Sequence, residues 1–303
     1  MHKISSVWDT VSLRQGALEL VALPGIGGRL WDIRLDDRSL LFQNSDLAGI
    51  AFDLTTLAHL PTRSPQFGFP LWGGEKTWIA PDNNWPNGAP YPVPDSGPYQ
   101  VVSTTDQALR MTSVTCPQSN LIVDREIALL SASRWTITHR LENRGKTPRA
   151  CGIWSVMMLD HPALIGVPGR SVHIKKVSDE HGGRVTRRNE GAVATCDGKD
   201  QFKVAMDNQN GTSLIRLTDD PIWLLCRTPA PLDDDVFAHC LPFEVFNSGD
   251  YPYCEAEWHS PQATLAAGDT LTFQQTFHVW RGEDQAPPTP LTEPERELFQ
   301  CMS

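Results

Sequence analysis

Short apolar runs alternate with polar positions along nearly the whole chain, each closed by Gly, Pro, Asn or Asp, and no sustained helical periodicity precedes the last dozen residues. A period of two marks strands with one buried face, so the chain is predicted to be all-β. Strands are expected at 17–22, 28–35, 40–43, 100–104, 109–115, 121–130, 134–142, 150–158, 172–176, 193–196, 202–206, 213–217, 222–228, 243–247, 253–259 and 270–280. Turn residues stand between them, including Asp36-Asp37, Asn143-Arg144-Gly145, Asn210-Gly211 and Gly268-Asp269, which tolerate positive φ or bond to their own backbone. Nothing resembles the βα alternation of a parallel sheet. The expected architecture is therefore a large antiparallel β-sandwich.

A chain of 303 residues can form one such domain, predicted over 1–286, with a tail at 287–303 able to carry a short helix at 293–302. Prolines and glycines crowd together at 61–98, where regular strands are not expected. A loop that long inside a domain usually serves function.

The formal net charge of −10 disfavours partners such as nucleic acid or an anionic membrane surface, and the basic run Arg184–Arg188 reads as a solvated loop. No stretch has the apolar length to span a bilayer, and the first residues lack the apolar segment of a secretory signal; a cytoplasmic protein is expected. The seven cysteines are scattered and never form C-x-x-C, which predicts buried free thiols rather than a disulfide framework or a zinc knuckle. Gly25-Ile26-Gly27-Gly28 lacks the dinucleotide register, Gly166–Ser171 lacks the P-loop ending, and Asp233-Asp234-Asp235 reads as a solvated turn. Neither a cofactor nor a metal is expected.

The stretch least like ordinary core is Trp72-Gly73-Gly74-Glu75-Lys76-Thr77-Trp78, followed by Trp85-Pro86. Indole offers a broad apolar face and one N–H donor, a match for the C–H face of a sugar ring. The expected partner is a small carbohydrate-like molecule in an open cleft, with the 72–85 segment as its lid or wall.

Several segments, taken in order, resemble the galactose mutarotase-like superfamily, which includes the aldose 1-epimerases. They are Leu18–Leu30 with Ser39-Leu40-Leu41, Leu141–Pro148, and Cys254-Glu255-Ala256-Glu257-Trp258-His259-Ser260-Pro261 with its following glycine turn; Gly73–Trp78 resembles uncharacterised members. The resemblance implies the superfamily's β-supersandwich and anomer interconversion, in which a glutamate takes the anomeric hydroxyl's proton and a histidine protonates the ring oxygen. Its catalytic glutamate falls on the strand carrying Glu255 and Glu257. These are two residues apart, so both face one side of that strand. Glu257 is the expected base, with Glu255 and His259 beside it. The family's histidine falls within Ile153-Trp154-Ser155-Val156, where this chain has none. His161 is the expected acid in its place, ahead of His59, His239 and His259. Lys76 is expected as an electrophile or as the partner of Glu75, and Arg63 as a binder of a phosphate or carboxylate group. Glu75, Trp78, Trp85 and Trp154 complete the expected binding set. A non-catalytic carbohydrate-binding protein, or a lyase or other isomerase on the same cleft, is the alternative.

Overall fold

The computed structural model describes residues 6–179, 184–198, 200–282 and 287–303. Two antiparallel sheets, of 11 and 10 strands among the described residues, pack face to face. The first runs in the order Val11–Gln15, Leu18–Leu23, Arg29–Leu35, Glu75–Ala80, Arg149–Asp160, Tyr253–His259, Phe243–Asn247, Phe202–Met206, Ile174–Asp179, with two short strands attached off this path. The second runs Val185–Arg187, Gly191–Cys196, Ala163–Pro168, Thr212–Leu217, Ile222–Arg227, Thr270–Arg281, Arg134–Asn143, Leu121–Ser131, Ala108–Thr112, Gln100–Thr104. The all-β sandwich expected from the alternation is the fold observed. Among the described residues no helix is long and apolar enough to cross a membrane.

The core fills the space between the sheets, where Trp258 of one meets Phe277 of the other edge-on at 5.6 Å. Because Cys254, Ala256 and Trp258 point inward, the intervening Tyr253, Glu255, Glu257 and His259 point to the outer face of the 11-stranded sheet. Loops cover that face and bury every residue of the strand. On the other side of the sandwich the terminal helix Glu293–Met302 lays Leu298 and Met302 over Val193, Leu214, Trp223 and Trp280. Its start is fixed by a capping box between Thr292 and Glu295.

Three expectations are corrected here. The 61–98 segment is not strand-free, since Glu75–Ala80 is a central strand paired with Arg149–Asp160. All six of its residues are buried, so the alternation that marks a half-exposed strand is missing. The predicted strand at 40–43 is reduced to isolated bridges, Leu41 to Leu159 and Gln43 to Gly73. Within the basic run, Val185–Arg187 forms an edge strand instead of a loop. All seven cysteines are free; five are buried, Cys240 is exposed and Cys301 half-buried.

Candidate functional site

Five adjacent strands deliver the site. Register places Val156 opposite both Lys76 and Glu257, and Glu244 opposite Glu257. Side chains two residues apart share a face, so Lys76 and Trp78, Trp154, Glu255, Glu257 and His259, Glu244, and Lys203 all emerge on the same outer surface. Two carboxylate–ammonium pairs form there. Lys76 Nζ donates to Glu255 Oε1 at 3.0 Å and lies 4.4 Å from the centre of the Trp78 ring. Lys203 Nζ donates to Glu257 Oε2 at 2.8 Å, lies 3.0 Å from Glu244 Oε2, and sits 4.6 Å from the Trp154 ring. Trp154 Nε1 also donates to Glu257 Oε2, at 2.8 Å. Glu257 Oε1 accepts no hydrogen bond among the described residues.

Above this floor lies a cavity of about 240 Å³, bounded by Phe67, Phe69, Trp78, Trp85, Lys203 and Glu255. The indoles of Trp78, Trp85 and Trp154 form one cluster, with Trp85 stacked on Trp154 at 5.4 Å and Trp78 edge-on to both at 5.2 Å. Trp85 is held from the loop by its Nε1 donating to the Ile79 carbonyl at 2.7 Å. Trp78 is held from below, its Nε1 donating to Asp95 Oδ1 at 2.7 Å; Asp95 in turn is paired with buried Arg29 at 3.0 Å. Glu255 reaches the cavity directly. Glu257 lies deeper, fully buried beside Trp154.

Burial shapes the protonation of these groups. It pushes Glu257 up to about 7 against the pull of Lys203, with the nearby charges of Glu255 and Glu244 adding to the rise. Burial also lowers Lys76, partly offset by Glu255. For Lys203 burial is outweighed by Glu244 and Glu257, and its ammonium is stabilised.

Of the residues singled out in the sequence, Glu255, Glu257, Lys76, Trp78, Trp85, Trp154 and His259 are brought together. Glu75 is not. It points into the sandwich, where it pairs with Arg125 of the opposite sheet and accepts from Ser155 Oγ at 3.1 Å, because neighbours on a strand face opposite ways. Lys76 therefore takes Glu255 rather than Glu75 as its partner. His161 is also elsewhere, just past the end of the strand Arg149–Asp160 with its ring against Gly198; its neighbour Asp160 pairs with Tyr253, four positions from Glu257. Arg63 lies on the surface, paired with Asp46 at 3.2 Å and over the Tyr251 ring. Trp72 is fully buried and donates to Ser96 Oγ at 2.9 Å.

Sequence reasoning missed Lys203 and Glu244 and ranked His239 low. Lys203 follows Phe202, and Glu244 separates Phe243 from Val245. A lone charge inside an otherwise apolar strand was the available signal. His239 Nδ1 lies 2.7 Å from Glu244 Oε1 and its Nε2 lies 3.2 Å from Asp82 Oδ2. Burial, which alone would lower this imidazole, is outweighed by Asp82 and Glu244, and it is held up to about 9.

No protein-family model and no curated protein sequence matches the chain. Solved structures do match along nearly its whole length. A candidate aldose 1-epimerase from Escherichia coli K12 superposes with TM-score 0.58 at 15% identity, covering 90% of this chain and 99% of that one. The Slr1438 protein from Synechocystis sp. PCC 6803 gives 0.59 at 12% identity, covering 93% and 100%. A galactose mutarotase-like protein from Clostridium acetobutylicum gives 0.55 at 11%, covering 90% and 95%. The fold is that of the galactose mutarotase-like proteins. The chain shares that fold, as the order of its sequence segments implied.

Proposed function

We propose that the protein is an aldose 1-epimerase-like isomerase that binds a monosaccharide-sized carbohydrate in the aromatic-walled cavity and interconverts its anomers by proton transfer. The observation that carries this reading is the pair of carboxylate–ammonium couples, Glu255–Lys76 and Glu257–Lys203, side by side beneath Trp78 and Trp85. Indole faces suit the C–H face of a pyranose, while charged groups below suit its hydroxyls. In this reading Glu257 is the base for the anomeric hydroxyl, Glu255 holds a neighbouring hydroxyl, and Lys76 is the cation facing the ring oxygen. Trp85 has to leave Trp154 for a sugar to reach Glu257.

The test is NMR exchange between anomers across a panel of aldoses and their derivatives. Glu257→Gln is expected to lower kcat by roughly 10²–10⁴-fold, the usual share of a general base, while leaving binding largely intact. Intact binding with no acceleration for any sugar rejects the isomerase.

A second reading, a carbohydrate-binding protein without turnover, is favoured by one observation. Trp154 occupies the segment where the superfamily's histidine falls, and its indole N–H binds Glu257 but does not transfer a proton. That reading predicts unchanged ligand affinity in Glu257→Gln and no turnover to lose.

A further inference from the structure

Beside Trp154 of the indole cluster, two imidazoles converge on one carboxylate. His259 rises from the sheet next to Glu257, and His239 comes down from the loop before Phe243–Asn247. Both rings abut Trp154, with centres 5.0 and 4.9 Å from it. His239 Nδ1 is 2.7 Å from Glu244 Oε1, and His259 Nε2 is 3.4 Å from Glu244 Oε2. One ligand-capable atom from each of the three residues lies within 4.8 Å of the other two.

The polar atoms here are incompletely used. Both ring nitrogens of fully buried His259 lack a hydrogen-bond partner among the described residues, and Glu244 Oε2 receives none that meets hydrogen-bond geometry. Glu244 Oε2 still has the ion pair to Lys203 at 3.0 Å, but a fully buried imidazole with neither nitrogen satisfied is poorly explained by packing alone. Ligands at about 2.1 Å from a tetrahedral ion stand roughly 3–3.5 Å apart; the His259–Glu244 separation of 3.4 Å fits this, whereas His239 and Glu244, now 2.7 Å apart, have to open slightly to admit an ion. A bound ion displaces the proton that His239 Nδ1 shares with Glu244, while the second nitrogen stays on Asp82 at 3.2 Å, the outer carboxylate that commonly fixes a metal-bound imidazole. Lys203, the competing cation at Glu244, keeps Glu257 as an alternative partner at 2.8 Å.

We propose that His239, Glu244 and His259 form a binding site for a divalent transition-metal ion of the zinc class, with Asp82 orienting the His239 ring from outside. Two imidazoles and one carboxylate select such ions over magnesium or calcium, which prefer all-oxygen ligands. No sequence motif announces the site, because its ligands come from a loop and two different strands. The ion reaches it from the solvent side, where Asp82 is 45% exposed. Bound there, it ties the loop bearing His239 to the sheet beside Trp154.

The full-length protein, stripped with EDTA and desalted, is titrated with ZnCl2 by calorimetry, and its thermal unfolding is followed with and without zinc. Saturable binding of one ion per chain and a higher unfolding midpoint are expected. His259→Gln and Glu244→Gln should weaken binding at least 100-fold. Asp82→Asn, on the solvent side, should weaken it about 10–100-fold with an unchanged far-UV CD spectrum, and it decides the matter if a buried variant fails to fold. Surface His59→Gln should bind like wild type. Absence of saturable binding for Zn²⁺, Co²⁺ and Mn²⁺ overturns the proposal. So does wild-type affinity in both His259→Gln and Asp82→Asn.

Discussion

His139 shows how far a single buried side chain can couple the sandwich to its surroundings. It lies between the sheets, with Nδ1 2.7 Å from Thr77 Oγ1 and Nε2 2.9 Å from Gln275 Oε1. Burial pushes its pKa down to about 4, with Arg125 adding to the drop and Glu75 opposing it. An unfolded chain titrates its histidines near 6.5, so between these values the unfolded state binds more protons than the native one. Stability is therefore complete above about pH 6.5 and is lost as the pH falls toward 4, by about 3 kcal/mol. Urea unfolding at pH 7 and pH 5 should show a smaller loss for His139→Gln than for wild type. Equal losses in the two proteins would rule out His139 as the source. Some slope should persist in the variant, because buried His278 is lowered in the same direction.

At the scale of the element, the strand Glu75–Ala80 depends on the two glycines before it. Gly73 has φ +108, and a Cβ there would stand 2.3 Å from the Phe42 carbonyl oxygen, a backbone atom with no freedom to yield. Gly73 also bridges to Gln43 and offers its carbonyl to Arg29 Nη1 at 3.0 Å. Gly73→Ala is expected to cost roughly 2 kcal/mol or more and to loosen the strand carrying Lys76 and Trp78. A melting temperature indistinguishable from wild type would show that the turn can relax. The same strand marks the limit of what the sequence discloses. Phe202–Met206, Phe243–Asn247 and Tyr253–His259 were legible to the residue because each is a short largely apolar run bounded by turn residues, although burial along them does not alternate. Glu75–Ala80 is buried on both faces and framed by glycine and proline, so its residues suggested a loop. Once it is a strand, Glu75 and Lys76 must part, one to the interior and one to the cavity. Glu255 and Glu257 were legible through the family resemblance of their segment, with the two-residue spacing placing both on one face. Their companions Lys203 and Glu244 were not, because lateral neighbours in a sheet can be remote in sequence, and period-two reasoning does not reveal which strands lie side by side.

Across the whole molecule, the two sheets hide their outer faces by different means. Loops cover the first and leave the cavity; the terminal helix covers part of the second. Leu298 is almost fully buried against Trp223 and Trp280, and Glu295 pairs with Arg227 at 2.6 Å. Leu298→Ala is expected to lower stability by about 2–5 kcal/mol, read by guanidinium unfolding. A change below 0.5 kcal/mol would mean that the helix is an ornament to the fold.

The strands that floor the cavity are anchored from behind as well. Glu75 and Thr77 alternate with Lys76 and Trp78, and they reach across the core to Arg125 and His139 of the opposite sheet. The geometry of the cavity floor is thus exposed to drift from the dry side of the protein. A lineage changing only Arg125 or His139 would tilt the ammonium and indole next door while every residue lining the cavity stayed the same.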